Sequence, residues 1–240
     1  MARLIMQRTA KRSLLLPSSP PPPPQLHHFN PLPSLSRPHS TTPPPHQNTH
    51  SPLQSNILRI LHKEVDYHHQ YAPPHQPPTT IGSFTVQDRP GEQWMTMRSN
   101  HKNAREEIKL EVTMFDGCVA VPKYGEDSDA EDVRLHMTVL VDVIKEEGGD
   151  VLEFLCSAWA DRIEIQKVYL LPRVKVPGMP YLGPDFRSLN REVQKRLEEY
   201  LEERGVNDEL AFFLHEFMMN KDRVELIRWF EKIKNFVDEK

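Results

Sequence analysis

Five acids fall within seven residues, Glu126, Asp127, Asp129, Glu131 and Asp132. Such a run can dock a basic protein surface or offer oxygen ligands to Ca²⁺. An EF-hand needs ligands at alternating positions around a central Gly, closed by a Glu at position twelve, and that order is absent. The docking reading remains; docking of this kind mainly raises association rates and weakens with salt. The ordinary alternative is a solvated loop. His62, His68, His69 and His75 invite a metal reading. His68 and His69 point apart on a helix, and no Cys joins the group at zinc spacing, so the four read as exposed polar residues at a helix end. The two cysteines, Cys118 and Cys156, exclude a disulfide scaffold and read as reduced thiols.

Catalytic signatures are missing. Gly-x-Ser-x-Gly, His-Glu-x-x-His, Cys-x-x-Cys and Gly-rich phosphate loops do not occur, and Gly totals nine. Asp161 with Glu164, or Asp116 near Cys118, are acid–base pairs only in the sense of sequence proximity. The expectation is a protein that is not an enzyme and uses no cofactor or metal. Lys167, Arg173 and Lys175 form a small basic patch, read as a solvated strand end. Phosphate neutralisation requires basic stripes, so nucleic acid is expected to associate only indirectly, through a basic partner.

The charge is divided along the chain. Of 240 residues, the first 55 contain Arg3, Arg8, Lys11, Arg12 and Arg37 and no acid, a balance of +5; the rest is −9, within a total of −4. Thirteen of the 23 prolines lie before residue 56. Leu4, Ile5 and Leu14–Leu16 among spaced Arg and Lys can form a short basic amphipathic helix, followed by Ser, Thr and Pro. These are transit-peptide features. The Arg-spaced first turns favour mitochondria over a plastid. No cleavage point can be read; the stretch after Arg37 is a candidate. Residues 1–54 are therefore expected to be a transit peptide with a Pro-rich disordered segment, and 55–240 a folded acidic domain. No run of about 18 apolar residues exists, so no membrane span is expected.

Ile57, Leu58, Leu61 and Val65 predict a helix over 55–70, ended by Pro73, Pro74, Pro77 and Pro78. Period-two alternation then dominates, in Phe84–Val86, Trp94–Met97, Ile108–Met114, Leu135–Val143, Leu152–Cys156 and Ile163–Leu171. It predicts an antiparallel sheet with one covered face. Arg89-Pro90-Gly91 joins the first hairpin, and Gly148-Gly149-Asp150 predicts a tight turn in a later one. After Pro184 the period becomes helical. Leu189, Val193, Leu197 and Leu201 form one stripe. Asn207 caps a second helix carrying Leu210, Phe213, Leu214, Phe217 and Met218. Leu226, Phe230, Ile233 and Val237 continue it, as a third helix or beyond a kink near Asn220. Apolar residues extend around Ile227 and Trp229 past one stripe, which points to oligomer contacts.

The run Leu189-Asn190…Leu197…Tyr200-Leu201-Glu202-Glu203-Arg204-Gly205-Val206…Leu210…Phe213-Leu214…Lys221…Trp229-Phe230…Ile233…Phe236-Val237 resembles the C-terminal signature of the mitochondrial glycoprotein, or matrix acidic protein, family. The helix at Leu58–Tyr67 and the segments Phe115-Asp116 and Val139–Val143, expected as strands, resemble it too. The resemblance covers roughly residues 55–240. It implies an α+β fold: one twisted antiparallel sheet of about seven strands, with one N-terminal helix and two or three C-terminal helices packed on one side. It implies a ring-shaped homotrimer, with Leu58, Leu61, Leu226, Trp229, Phe230, Ile233, Phe236 and Val237 in core or subunit contacts. It further implies a matrix adaptor, chaperone-like and without catalysis, holding basic clients such as ribosomal or respiratory-chain assembly proteins in support of translation, ribosome assembly or oxidative phosphorylation. The alternative is a stable structural or regulatory subunit of one complex, bound through apolar helix contacts. Two departures stand out: the acidic excess is mild for such a family, and the acidic loop is short. No Asn-x-Ser/Thr sequon occurs, so "glycoprotein" is only a name here.

Overall fold

The computed structural model describes residues 50–101, 106–122, 131–145, 149–172 and 181–239. Helix α1 spans Pro52–Tyr71. It starts three residues before the predicted boundary because Ser51 is a capping residue. The Gln54 N–H donates to Ser51 Oγ at 3.2 Å, and the Ser51 N–H donates to Gln54 Oε1 at 2.8 Å. Pro52 then suits the first turn, where its missing N–H costs nothing. The proline linker follows, as expected.

Eight strands come next: β1 (Thr80–Ile81), β2 (Phe84–Asp88), β3 (Trp94–His101), β4 (Glu106–Thr113), β5 (Gly117–Pro122), β6 (Glu131–Ile144), β7 (Val151–Ala158) and β8 (Ile163–Leu171). All pairings are antiparallel, in the order β1-β2-β3-β4-β6-β7-β8, with β5 on β6. Strand β6 has 14 residues and serves two neighbours on one edge. Its first part pairs with β5 (Gly117↔His136) and its second with β4 (Glu107↔Ile144). Phe115-Asp116, expected in a strand, instead lies in the connection between β4 and β5. In the β6–β7 hairpin Ile144 pairs with Val151, and Gly148 of the predicted tight turn lies outside the described residues.

Alternation sets the two faces. Met95, Met97, Ile108, Leu110, Val112, Val139, Val141 and Phe154 point to one side and are almost fully buried. Helix α2 (Arg191–Glu202) and the first half of α3 (Asp208–Asp238) cover that side. Leu201, Leu210, Leu214, Phe217 and Met218 join the same core. Asn190 caps α2 by accepting from the Glu192 N–H at 2.8 Å, and Asn207 caps α3 by accepting from the Leu210 N–H at 3.0 Å. Helix α3 runs 31 residues without interruption. No Pro or Gly lies within it, and Asn220 does not end it, because its side chain bonds elsewhere.

Helix α1 packs antiparallel on the second half of α3. His50 at its start lies 3.1 Å from Asp238 at the far end of α3, and the linker returns to Asn220. The Asn220 amide accepts from the His75 N–H and donates to the His75 carbonyl, both at 2.9 Å. Between these ends Leu61, Val65 and Ile227 are buried.

Candidate functional site: an apolar helix pair, an acidic junction and a histidine array

The helix pair shows two kinds of apolar residue. Leu61 is buried, and Leu58, Leu226, Phe230, Ile233 and Val237 are half-buried. His68 stacks on Phe230 with centroids 5.9 Å apart. These residues make up the seam or flank it. Trp229 is 55% exposed and Phe236 77%, so neither belongs to the core of one subunit. Leu53, Tyr67 and Tyr71 on α1 are likewise exposed. An apolar surface of this size costs solvation unless something covers it.

Of the predicted acidic loop, Glu126, Asp127 and Asp129 lie outside the described residues, as does the Glu131 side chain. Asp132 is exposed and accepts from the Val133 N–H at 3.0 Å. A second concentration of acids was not singled out from the sequence. Glu198, Glu202 and Glu203 at the end of α2, and Asp208 and Glu209 at the start of α3, are all exposed. Asp208 and Glu209 complement the positive end of α3. The last turn of α2 carries no basic residue to balance its own negative end. The neighbouring Arg204 is turned inward. Its Nε donates to Glu106 Oε2 at 2.9 Å, and its guanidinium lies 3.4 Å over the Tyr200 ring. The junction thus presents acids outward, while Arg204 bonds Glu106 in the core and also stands 4.0 Å from Glu203.

Further ionic structure is local. On the sheet face turned away from the helices, Lys109, Asp142 and Glu153 stand in cross-strand register, and Lys109 bonds Glu111. Lys167 reaches Asp185 at 2.8 Å, which consumes part of the small basic patch; Arg173 and Lys175 lie outside the described residues. Asp161 and Glu164 are held by Arg134 and Arg162 rather than by one another. Cys156 is fully buried, which pushes its thiol up to about 12. Cys118 is exposed, and no disulfide joins the two. Among the described residues no group of His, Cys, Asp and Glu is arranged to hold a metal ion, and no helix is long and apolar enough to cross a membrane.

A third constellation joins residues distant in sequence. Asp116 Oδ1 lies 2.9 Å from His136 Nδ1, and His136 Nε2 lies 2.9 Å from Ser157 Oγ. The Thr113 hydroxyl donates to Asp116 Oδ2 at 3.0 Å and accepts from the Thr138 N–H at 3.0 Å. Burial would raise the Asp116 carboxyl, but hydrogen bonds from His136, Thr138 and Thr113 outweigh it and hold the group below its ordinary value. The carboxylate is therefore ionised and only accepts. His136 therefore donates to it through Nδ1, and in the neutral ring this leaves the Nε2 lone pair facing the Ser157 hydroxyl. Gly117 makes room for this ring: a Cβ there would stand 3.1 Å from His136 Nδ1. Trp159 flanks the ring at 5.1 Å. Neither His136 nor Ser157 stands out in the sequence, since only strand register brings them to Asp116.

The chain compares with known proteins as follows. The model of the family described as Mitochondrial glycoprotein matches residues 61–237. An uncharacterized mitochondrial protein of Arabidopsis thaliana is 31% identical over 67% of this chain, and the match spans 65% of that protein, just under two thirds of its length. The mitochondrial acidic protein mam33 of Schizosaccharomyces pombe is 23% identical over 77% of this chain and 78% of its own. The crystal structure of the Trypanosoma brucei p22 protein superposes with TM-score 0.62, 24% identity, and coverage of 78% of this chain and 100% of that one. A hypothetical Leishmania major protein of unknown function, titled a homologue of human p32, superposes with TM-score 0.59, 14% identity, and coverage of 77% and 99%. At these identities the two structures bear on the fold alone.

Proposed function

The chain belongs to the mitochondrial glycoprotein family, and on that premise we propose that it is a mitochondrial matrix adaptor, chaperone-like, that holds basic client proteins on an acidic surface while a homotrimer covers its apolar helix pair. The family and its relatives are mitochondrial, and the basic, acid-free first 55 residues agree with import. The single observation that carries the client-binding reading is the α2–α3 junction. Five exposed acids sit there, and Arg204 bonds Glu106 at 2.8 Å while standing 4.0 Å from Glu203. Three of the acids lie at the negative end of a helix, where anions are unfavourable by about 0.3–1 kcal/mol each. Folding alone gains nothing from that placement, whereas recruitment of cationic partners does. The loop at Glu126, Asp127, Asp129, Glu131 and Asp132 belongs to the same docking reading. Ribosomal and respiratory-chain assembly proteins are clients of the required charge, and support of mitochondrial translation, ribosome assembly or oxidative phosphorylation would follow from holding them. Any association with RNA would run through such a partner.

Exposed Trp229 and Phe236 favour a second reading, in which the apolar helix pair binds one complex permanently as a structural or regulatory subunit. Affinity capture from a mitochondrial extract separates the two. The bait should begin no later than His50, to retain the Ser51 cap of α1. A set of basic proteins released progressively by salt and indifferent to nuclease is the adaptor outcome. A single salt-resistant complex of fixed stoichiometry is the subunit outcome.

A further inference from the structure

We propose that Ser157 is an activated serine nucleophile that takes up an acyl group from an acyl thioester or activated ester, with His136 as its base and Asp116 as the residue that positions that base. This goes beyond client binding and does not rest on it. The argument is geometric. A serine hydroxyl is a weak nucleophile unless a base sits within hydrogen-bond reach and a third group orients that base. Here both links measure 2.9 Å, and they run in the required sense, carboxylate to Nδ1 and Nε2 to hydroxyl.

Three further features support the arrangement. The Asp116 side chain is 7% exposed and that of His136 20%, so the carboxylate is innermost and the ring edge opens outward. Ser157 itself retains 8% exposure, and Trp159 stands 5.1 Å from the His136 ring. The carboxylate is itself oriented by the Thr113 hydroxyl. Gly117 at the strand position opposite His136 leaves the ring the space it occupies.

In the step, Ser157 Oγ attacks the acyl carbon while its proton passes to His136 Nε2. The bond from the acyl carbon to sulfur, or to the ester oxygen, breaks. The departing thiolate or alkoxide takes the proton from Nε2, leaving an ester on Ser157 and neutral His136. No oxidant or metal enters the balance. A thioester or aryl ester suits the site because its leaving group departs readily. The product is an acylated protein, one group per chain.

The test treats the full chain with a fluorophosphonate probe and, separately, with p-nitrophenyl acetate, followed by intact mass and peptide mapping. The expected result is one probe per chain mapped to Ser157, a burst of about one equivalent of p-nitrophenol, and loss of both in Ser157→Ala. Peptide mapping of the wild-type protein decides the matter even where Ser157→Ala does not fold. Asp116→Asn should slow acylation at least tenfold and change its pH profile, because His136 then loses the partner that fixes its tautomer; a residue with only a structural role would leave that profile unmoved. Absence of labelling, or labelling that maps elsewhere and persists in Ser157→Ala, overturns the proposal.

Discussion

Lys221 Nζ lies 2.7 Å from Asp88 Oδ1 although only 2% of the Lys221 side chain is exposed, while 38% of the Asp88 side chain is. A helix residue thereby reaches the turn after β2, where it also donates to the Arg89 carbonyl at 3.0 Å and meets Glu225 at 3.7 Å. The two ends of this pair should respond differently to mutation. Asp88→Ala leaves a buried ammonium with a weaker set of partners and should cost about 2 kcal/mol. Lys221→Met removes the buried charge while keeping the volume, and leaves Asp88 to water, so it should stay within about 1 kcal/mol of the wild type. Urea unfolding of both variants checks the order; the reverse order would show that the ion pair itself, and not desolvation, governs this site.

Asn220 should matter more than its surface-polar type suggests. It is buried, and both halves of its amide serve the His75 backbone. Asn220→Ala removes two hydrogen bonds and strands a helix-facing gap, for an expected loss of about 2–3 kcal/mol. Hydrogen exchange at His75 and protease sensitivity across Pro73–Pro78 should rise together. Unchanged exchange at His75 would mean that the linker is held by other contacts.

Much of this was legible in the sequence, and the misses have identifiable causes. Period-two alternation located β2, β3, β4, β6, β7 and β8, because each has one face on the core. Strand β5 escaped because Gly117-Cys118-Val119-Ala120-Val121-Pro122 is apolar at nearly every position and has no period. Strand β1 has two residues, too few for any pattern. Where the sequence left two helices or one kinked helix open, one continuous helix runs through Asn220, whose side chain bonds a linker 145 residues away. The histidine array was hidden for a similar reason: its members are 20 and 21 residues apart, and only the β5–β6 and β6–β7 registers join them. Sequence proximity offered only Cys118 beside Asp116, a pairing that proximity alone did not support, and Cys118 is exposed. The resemblance supplied the helix–sheet–helix architecture that periodicity left as an order of elements.

Stability should fall on acidification in two stages. His215 Nε2 donates to the Ala158 carbonyl at 3.2 Å, and burial holds its imidazole below the ordinary value despite that hydrogen bond and the nearby Asp161. A depressed His favours the neutral form in the fold. Between about pH 8 and 7 it has no effect; below about 6.5 the unfolded chain takes the proton first, and stability is lost until the folded value is reached. Asp116, held below its ordinary range, stabilises above the unfolded carboxylate value of about 4, and that contribution is lost as pH falls through its folded value. Thermal melts from pH 8 to 3 should therefore bend twice. His215→Gln should remove the upper bend and leave the lower one.

Gly205 combines two demands. Its φ is +78°, and a Cβ would stand 3.3 Å from Phe84 Cε2. Gly205→Ala must adopt a left-handed backbone and displace a core ring, and should cost about 1–2 kcal/mol. A paired Phe84→Leu, Gly205→Ala variant separates the two terms. If the double variant loses less than the sum of the singles, the ring contact is real and the coupling is positive.

Trp229 and Phe236 decide whether the helix pair is an interface. Both are more than half exposed in one chain, so charges placed there should leave the monomer fold nearly intact, with surface changes of about 0.5 kcal/mol or less. In an assembly the same positions would be buried, and a carboxylate in an apolar contact is strongly unfavourable. Trp229→Glu with Phe236→Glu should therefore dissociate the proposed homotrimer while the circular dichroism of the monomer stays unchanged. Sedimentation velocity over a concentration series reads this directly. A wild-type protein that is monomeric at micromolar concentration would remove the trimer and pass the apolar face to a heterologous partner. A double variant that remains trimeric would place the subunit contact elsewhere on the molecule.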